Sequence, residues 1–489
     1  GRSNHNISVV TFAPDCRLNE IGKSAFKNCK IKEIELPASV AKLGSKPFER
    51  CSIARLVVPD SLASDGFTDL VAGISGLKSI ECRSTCKNFT TVDGALFSKD
   101  GTELVFCPAD KVAEVYTVPA EVRKIGDYSF KDNVGVKSVV FADADKDLEI
   151  GQYAFQNSSI ESVTLPDRLV SIALYAFSGC ASLKTVTFGD SCKLSTIGDR
   201  AFEKCASLTE ISLPDLTTSI GAYAFAECSS LKNVNFSENS QLINIGQNAF
   251  RSCAALVEFT APKTLVNLGK PSTTDTVLVT TSSYTFYNCK SLKKADLSSC
   301  AVENIAMYTF ESCDALETVL LPQELKGIGQ YAFRNCFKLS EISLPEGLVT
   351  LNAQAFSGCG QYFEKTGLKT GLKSITVPST VTTIGKSVFE NCAALEEATV
   401  KSTSVGENMF LGCVSLKKVT IGAETESIKA LAFSGCKSLA EVNMQSNVLA
   451  EIGKGAFQNT AITEFTVPDT VDTLGAGTAS ATVAKDGIL

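Results

Sequence analysis

The sequence lacks the side chains on which most catalytic centres depend. Its 489 residues contain no tryptophan, three methionines and a single histidine, His5. A Ser–His–Asp or Cys–His arrangement needs a histidine beside the nucleophile, and His5 stands in a polar N-terminal segment. The phosphate-binding pattern G-x-x-x-x-G-K is also missing. We therefore expect a protein that is not an enzyme, with no catalytic residues and no cofactor.

Charge and hydropathy argue against two further classes of protein. The net charge is −7, with 46 Lys and Arg against 53 Asp and Glu, so the basic surface that nucleic-acid binding requires is not expected. No run of about eighteen apolar residues is present, and we expect no membrane span in this chain. Because Ser8–Phe12 already reads as the middle of a repeat, we expect residues 1–20 to be a partial N-terminal repeat at a processed or truncated end.

Phenylalanine and cysteine, in contrast, recur at regular spacing. Thirteen of the nineteen cysteines stand three residues after a phenylalanine, and that phenylalanine returns about every 23 residues. Ala176-Phe177-Ser178-Gly179-Cys180 and Ala332-Phe333-Arg334-Asn335-Cys336 are two copies. A fixed period of about 20–50 residues is typical of stacked repeats. We call the thirteen the ladder cysteines: Cys29, Cys51, Cys180, Cys205, Cys228, Cys253, Cys289, Cys313, Cys336, Cys359, Cys392, Cys413 and Cys436.

The ladder cysteines are expected to be buried, free thiols. Stacked coils would place them about 5 Å apart, so disulfides between neighbours are conceivable. Other copies, however, have Asn133, Ser158 or Thr460 at this position, which favours a small buried side chain with a weak S–H donor. Outside the ladder, the sequence leaves open whether Cys82, Cys86 and Cys107 form a disulfide. A metal site is disfavoured because no histidine or fourth cysteine is near.

The repeat reads L-x-x-I/V-x-L-P-x-x-L/V-x-x-I-G-x-x-A-F-x-x-C, as in residues 208–228. The segment L-x-x-I-x-L predicts a short strand with one buried face, and proline ends it. The Ile-Gly pair predicts a corner at which glycine adopts a backbone conformation that other residues resist. The segment A-F-x-x-C predicts a short helical or 3₁₀ turn on the opposite side. No repeat buries its face alone, so stacking must form the core.

This pattern resembles the BspA-like, or Treponema-type, leucine-rich repeats, and it recurs in a dozen copies over about residues 8–475. The segment Asp93–Pro108 resembles a variant hairpin unit of such proteins, with a turn signal at Lys99-Asp100-Gly101. The resemblance implies an α/β repeat fold: a right-handed leucine-rich repeat solenoid with parallel strands on one face and short helical or 3₁₀ turns and loops opposite. We expect the solenoid over residues 21–475, hairpin-containing units within 60–120, and a cap or tail at 476–489.

The outward positions of the predicted strands form two polar columns. Hydroxyl side chains there suit packed parallel strands, which is a purely structural explanation. The remaining surface is mildly acidic and could meet a basic protein or a hydroxyl-rich glycan. Insertions at 268–283 and 359–372 predict either tolerated surface loops or ligand contacts. The candidate contact residues are Tyr362, Phe363, Glu210, Glu258, Glu341, Glu397 and Glu441.

The resemblance also implies a function. It suggests a secreted or surface-exposed protein of a bacterium or a parasitic protist, which adheres to host or matrix proteins or to other cells. We therefore expect an extracellular or cell-surface location and a protein partner, with a glycan as the alternative partner. The competing hypothesis is an intracellular protein–protein interaction scaffold, which the unpaired thiols favour.

Overall fold

The computed structural model describes residues 6–63, 66–109, 114–271, 277–363 and 368–476. The chain divides into two compact units, Gly1–Thr217 and Thr218–Leu489. His5, and the part of the predicted cap or tail beyond Ala476, lie outside the described residues.

Short β-strands and turns dominate the first unit. Its helix, α1, spans Gly66–Val71. The strands are β1 (Glu20–Ile21), β2 (Glu33–Glu35), β3 (Lys42–Leu43), β4 (Cys51–Ser52), β5 (Arg55–Val58), β6 (Ile74–Ser75), β7 (Ser79–Cys82), β8 (Phe89–Val92), β9 (Ala95–Ser98), β10 (Glu103–Phe106), β11 (Val115–Val118), β12 (Lys124–Ile125), β13 (Ser138–Phe141), β14 (Leu148–Ile150), β15 (Ser162–Leu165), β16 (Leu169–Ile172), β17 (Thr185–Phe188), β18 (Thr196–Ile197) and β19 (Glu210–Ser212).

The second unit has the same character, without a helix among its described residues. Its strands are β20 (Ser219–Ile220), β21 (Asn233–Asn235), β22 (Asn244–Gly246), β23 (Glu258–Thr260), β24 (Asn267–Lys270), β25 (Lys294–Asp296), β26 (Asn304–Ile305), β27 (Thr318–Leu320), β28 (Gly327–Ile328), β29 (Glu341–Ile342), β30 (Thr350–Leu351), β31 (Gly360–Phe363), β32 (Leu368–Gly371), β33 (Ser374–Val377), β34 (Thr383–Ile384), β35 (Glu397–Val400), β36 (Ser404–Val405), β37 (Lys418–Ile421), β38 (Ser427–Ile428), β39 (Glu441–Met444), β40 (Glu451–Gly453) and β41 (Thr473–Ala476).

Each regular repeat forms one coil with two short strands, and successive coils pair in parallel. The L-x-x-I-x-L segments give sheets such as β11-β13-β15-β17 in the first unit and β33-β35-β37-β39 in the second. The Ile-Gly segments form separate parallel sheets, such as β26-β28-β30-β34. Each unit is therefore a β-solenoid of stacked coils, and the expected α/β class is not confirmed, because α1 is the one helix among the described residues. The predicted parallel strands are confirmed, and the expected Ile-Gly corner is itself a strand.

A column of phenylalanine rings fills the coil interiors. Phe177 and Phe333 are fully buried. In the first unit the rings of Phe155 and Phe177 stack with centroids 4.7 Å apart. In the second, Phe333 lies 5.3 Å from Phe310 and 5.0 Å from Phe356. The predicted stacked core is present because each repeat delivers its ring at the same place in the coil.

The A-F-x-x-C segments are turns, so the expected helical or 3₁₀ geometry is not confirmed. Tyr331 and Asn335, two residues before and after Phe333, have φ angles of 59° and 61°. Such left-handed residues cannot continue a right-handed helix. The N–H groups of Tyr331, Phe333 and Asn335 instead donate to carbonyls of the next coil at 3.2, 2.8 and 3.0 Å. Hydrogen bonds between coils replace those within a helix.

The glycine of the Ile-Gly pair allows coils to approach each other closely. A Cβ on Gly246 would lie 2.4 Å from the backbone nitrogen of Ala222 and 2.5 Å from the carbonyl carbon of Gly221. The φ angle of Gly246 is outside the left-handed range. The expectation of an unusual backbone conformation was therefore wrong here, because the steric limit is set by the neighbouring coil.

Two irregular segments are antiparallel hairpins. In the first unit β8, β9 and β10 form a meander, and the turn between β9 and β10 contains Gly101 at φ 76°. The predicted Lys99–Gly101 turn is confirmed. In the second unit the insertion at 359–372 pairs β31 with β32 in antiparallel register. The insertion at 268–283 is described only in part, because residues 272–276 lie outside the described range.

Replacing Phe333 tests the stacked core. We expect Phe333→Ala to lower the free energy of unfolding by about 3–5 kcal/mol, because loss of the buried ring leaves a cavity between the rings of Phe310 and Phe356. Phe333→Leu, which keeps most of the volume, should cost less than about 1.5 kcal/mol. Urea unfolding followed by circular dichroism measures both. An unchanged midpoint in the alanine variant would show that the ring does not support the core.

Candidate functional site

The nineteen cysteines all lie in the described part of the chain, and all are free thiols. All except Cys16 and Cys82 are buried. Most ladder thiols donate to the carbonyl oxygen of the phenylalanine one coil earlier, as Cys180 Sγ does to Phe155 O at 2.9 Å, whereas Cys29 Sγ lies 4.0 Å from Lys27 O. The prediction of free, structural ladder thiols is confirmed, since all thirteen are free and buried.

Burial makes these thiols poor nucleophiles. It raises the pKa of Cys180 to about 12, and it raises the pKa of Cys253 and Cys336 well above the usual value. A thiolate, the reactive form, is therefore disfavoured at neutral pH. No arrangement for nucleophilic catalysis follows from the ladder.

Cys82, Cys86 and Cys107, three of the six cysteines outside the ladder, are also thiols, which answers the open question of a disulfide. Cys86 is buried and contacts Pro59 O at 3.6 Å. Burial, with a smaller contribution from Cys82, raises the pKa of Cys86 to about 11. Cys107 is buried as well. Over the residues that the structure covers, no group of three His, Cys, Asp or Glu side chains could hold a metal ion.

The predicted polar columns are present as rows of side chains on the strand faces. Strand pairing places Glu258, Lys294, Thr318 and Glu341 in one row. A second row of the same unit contains Ser374, Glu397, Lys418 and Glu441. Glu210 opens β19 in the first unit. All five of these glutamates are exposed.

Several of these carboxylates have neighbours on the same face. Glu441 forms an ion pair with Lys418 at 2.6 Å. The hydroxyl of Thr318 donates to Glu341 at 3.0 Å. The hydrogen bond that Lys418 donates to Glu441 also raises the pKa of Lys418, which stays cationic at neutral pH. These groups face solvent, so salt screens them and they can exchange partners.

A depression of about 610 Å³ interrupts the strand face of the second unit. Its lining includes Asn233, Asn235, Phe236, Glu258 and Thr260. These residues come from β21, β23 and the chain just after β21. Of the predicted contact residues, Glu258 alone is in this lining. The half-buried ring of Phe236, edge-on to Phe259 at 6.0 Å, was missed. The depression depends on the shapes of its side chains, which the repeat pattern does not predict.

Tyr362 and Phe363 lie at the end of β31. Their side chains lie outside the described part of the chain, so their role as contacts stays a prediction. The hairpin does place their backbone opposite Lys369 and Leu368.

The turn side carries stacked tyrosines that the sequence interpretation missed. Tyr153 stacks on Tyr128 and on Tyr175, each at 4.9 Å, in the first unit. In the second unit Tyr308 stacks on Tyr284 at 4.4 Å and on Tyr331 at 5.0 Å. The signal was a tyrosine two residues before the repeat phenylalanine, as in Gln152-Tyr153-Ala154-Phe155. We call these two sets the tyrosine stacks.

Arginine side chains cover one end of each tyrosine stack. Arg200 lies 5.6 Å from the ring centroid of Tyr175. Arg334 lies 4.3 Å from that of Tyr331 and also pairs with Glu311. Such cation–π contacts stabilise exposed aromatic groups modestly.

Comparison with known proteins gives a consistent family and fold. The profile of the BspA type leucine-rich repeat region matches residues 3–133, 148–276, 271–363 and 363–481. A leucine-rich repeat protein from Bacteroides ovatus is similar, with 24% identity, a TM-score of 0.50, and coverage of 76% of this chain and 91% of its own. This likeness supports the leucine-rich repeat fold. A search of curated proteins gives no match.

Two further solved structures are more distant. A leucine rich cell surface protein from Faecalibacterium prausnitzii is 20% identical, with a TM-score of 0.38, over 80% of this chain and 94% of its own. The pneumococcal vaccine antigen PcpA is 22% identical, with a TM-score of 0.38, over 80% and 96%. Among the described residues, no helix is long and apolar enough to cross a membrane.

The raised thiol pKa values predict a pH dependence. Between pH 9 and 11 Cys180 should ionise only in the unfolded chain, since its pKa rises from 9.0 to about 12 on folding. Its contribution to stability is thus complete below pH 9 and is lost as the pH rises. The difference in unfolding free energy between the unchanged protein and Cys180→Ala should fall by about 1.4 kcal/mol per pH unit.

Urea unfolding at pH 8, 9, 10 and 11 measures this difference. Thr217→Val is the matched control, because Thr217 is a buried hydroxyl of the same unit that does not ionise. The difference in unfolding free energy between Thr217→Val and the unchanged protein should not vary with pH. A pH-independent difference for Cys180→Ala would mean that the thiol ionises as easily in the folded protein.

Proposed function

Because this chain belongs to the BspA-type leucine-rich repeat family, we propose that it is a non-enzymatic binding protein, secreted or exposed at the cell surface. It adheres through its strand face to a protein of a host, a matrix or another cell. The family resemblance supports the location, and the strand face supports the binding.

One observation carries the binding proposal: the depression on the strand face of the second unit. It is a concave surface in an otherwise regular row of side chains, and it combines carboxylate, amide and hydroxyl groups with the ring of Phe236. Binding sites typically join an apolar contact with a few polar groups that fix orientation. On one side of the depression, β23 is held in register by its parallel pairing with β25, so Glu258 and Thr260 have defined positions.

The charges favour a partner with a basic side chain. Glu238 and Glu258 line the depression with Lys263, and all three side chains are exposed. Two carboxylates against one ammonium leave an acidic surface, which attracts cationic groups and repels anionic ones. A glycan is the alternative partner, since hydroxyls and amides line the same surface and Phe236 provides one ring.

A second candidate function is an intracellular interaction scaffold. It is favoured by the cysteines, since all nineteen are thiols and disulfides are usual in oxidising compartments. Buried thiols with satisfied donors, however, are compatible with either location, because oxidants reach them poorly.

Labelling of intact cells distinguishes the two. We expect a membrane-impermeant amine-reactive biotin reagent to label the native protein on intact cells, or the protein to be recovered from the medium. An abundant cytosolic enzyme of the same cells is the control for leakage. Recovery in the cytosol alone, unlabelled, would contradict the surface proposal and support the scaffold.

Charge reversal tests the binding surface. We expect Glu258→Lys to weaken binding of the purified chain to a basic extracellular-matrix protein by at least tenfold, since attraction at the depression becomes repulsion. Biolayer interferometry against a panel of purified matrix proteins measures this. Glu227→Lys is the matched control: Glu227 is an exposed residue of a turn segment in the same unit.

The two variants separate a specific site from net charge. Both change the charge of the chain by the same amount, so equal losses would indicate non-specific attraction. The strand-face proposal is wrong if no matrix protein binds the unchanged chain. It is also wrong if the Glu258→Lys variant binds as tightly as the unchanged chain.

A further inference from the structure

We infer that a cavity beside Tyr128, in the first unit, binds one aromatic ring from a phenylalanine or tyrosine side chain of a protein partner. This inference depends on the proposed function only for the partner being a protein. The cavity lies on the turn side and shares no residue with the strand-face depression.

The cavity has the size of one ring. Its volume is about 190 Å³, and an apolar cavity of roughly 150 Å³ is known to hold benzene. Its walls are mainly apolar and include Val71, Ile74, Leu77, Phe106 and Tyr128. Val71 ends α1, and Ile74 begins β6.

Tyr128 is the end of a tyrosine stack. Tyr153 covers one face of its ring, at 4.9 Å and an interplanar angle of 2°. The opposite face is directed toward the preceding coils, from which the other walls of the cavity come. In the preceding coil Cys107 N–H donates to Ser129 O at 2.8 Å, the bond that the repeat phenylalanine makes elsewhere. Leu104, however, pairs with Ile125 in the strand register, so only two residues separate it from Cys107, where four separate Ile125 from Phe130. This coil therefore has no residue at the tyrosine position, and among the described residues no ring stacks on this face of Tyr128.

The hairpin unit explains this gap. Its last strand, β10, pairs in parallel with β12 in the place of an Ile-Gly strand, and the chain reaches the bond from Cys107 N–H to Ser129 O two residues earlier than in a regular coil. Among the described residues, the preceding coil thus has no ring at about 5 Å from Tyr128, and the cavity lies beside that position. A ring supplied by a partner would stack on Tyr128 as Tyr153 does on the other side.

The lining favours an aromatic ring over a sugar. A charged pair at the cavity, Lys131 with Asp132 at 2.9 Å, is already joined. Val134, which is 62% exposed, adds an apolar group at the opening. Pyranose hydroxyls against apolar walls would lose water without a replacement partner. An aromatic ring needs no such partner and gains the stacking contact with Tyr128.

Ligand-observed NMR tests the inference with small probes and needs no natural partner. The probes are N-acetyl-L-phenylalaninamide, N-acetyl-L-tyrosinamide and methyl β-D-glucopyranoside. We expect both aromatic probes to bind and the pyranoside not to bind. Tyr128→Leu should weaken binding by about 2- to 12-fold, the range of an aromatic stacking contact. Leu is tolerated at this backbone position, since Leu431 occupies it in a later coil at φ 54°.

Two further variants keep the result interpretable. Leu77→Trp should abolish binding, because Leu77 is a half-buried residue of the lining and the larger indole ring would occupy the cavity. Tyr308→Leu, the same change within the other tyrosine stack, should leave binding unchanged. Circular dichroism verifies that each variant is folded.

Three results would overturn the inference: no binding of either aromatic probe, equal or tighter binding of the pyranoside, or full aromatic binding in folded Tyr128→Leu. The proposed function is tested separately with Glu258→Lys and whole matrix proteins. Failure of one experiment therefore leaves the other result intact.

Discussion

The hydrogen bonds between coils at the A-F-x-x-C turns are the constraint on which the structure depends. Phe333 O accepts the backbone N–H of Cys336 in its own coil at 3.2 Å. The same oxygen accepts the thiol of Cys359 from the next coil at 3.1 Å. One carbonyl thus closes the turn and joins two coils, which explains why phenylalanine and cysteine keep a fixed separation. Where serine replaces cysteine, Ser158 still offers a hydroxyl, and it lies 3.4 Å from Cys180 Sγ.

The strands and the core could be predicted because they depend on side-chain periodicity. The spacing of Phe310, Phe333 and Phe356 placed their rings in one column, and the structure stacks them. The turn geometry could not be predicted so easily. Apolar residues four apart resemble one helical turn, and the backbone bonds to the next coil leave no periodic trace. The available signal was asparagine or glycine before the cysteine, as at Asn335 and Gly358, both with positive φ.

The candidate site was predictable in the same partial way. Because the repeat fixes the register, Glu258 and Glu341 were assigned correctly to one exposed row. The depression around Glu258 was not predicted, since it depends on the bulk of its neighbours rather than on their period. The tyrosine stacks were readable as Tyr-x-Phe, but their contact requires the left-handed backbone at Tyr153, which is set by bonding to the next coil.

Departures from the repeat explain where concave surfaces arise. In regular coils equivalent side chains recur at the strand spacing of about 4.8 Å, so each fills the space beside the last and leaves no hollow. The cavity at Tyr128 lies beside the hairpin unit, where the coil is two residues shorter than a regular one. The strand-face depression lies between β21 and β23, which belong to two separate sheets. Regular repeats therefore supply rigidity, and the irregular units supply shape that a partner can recognise.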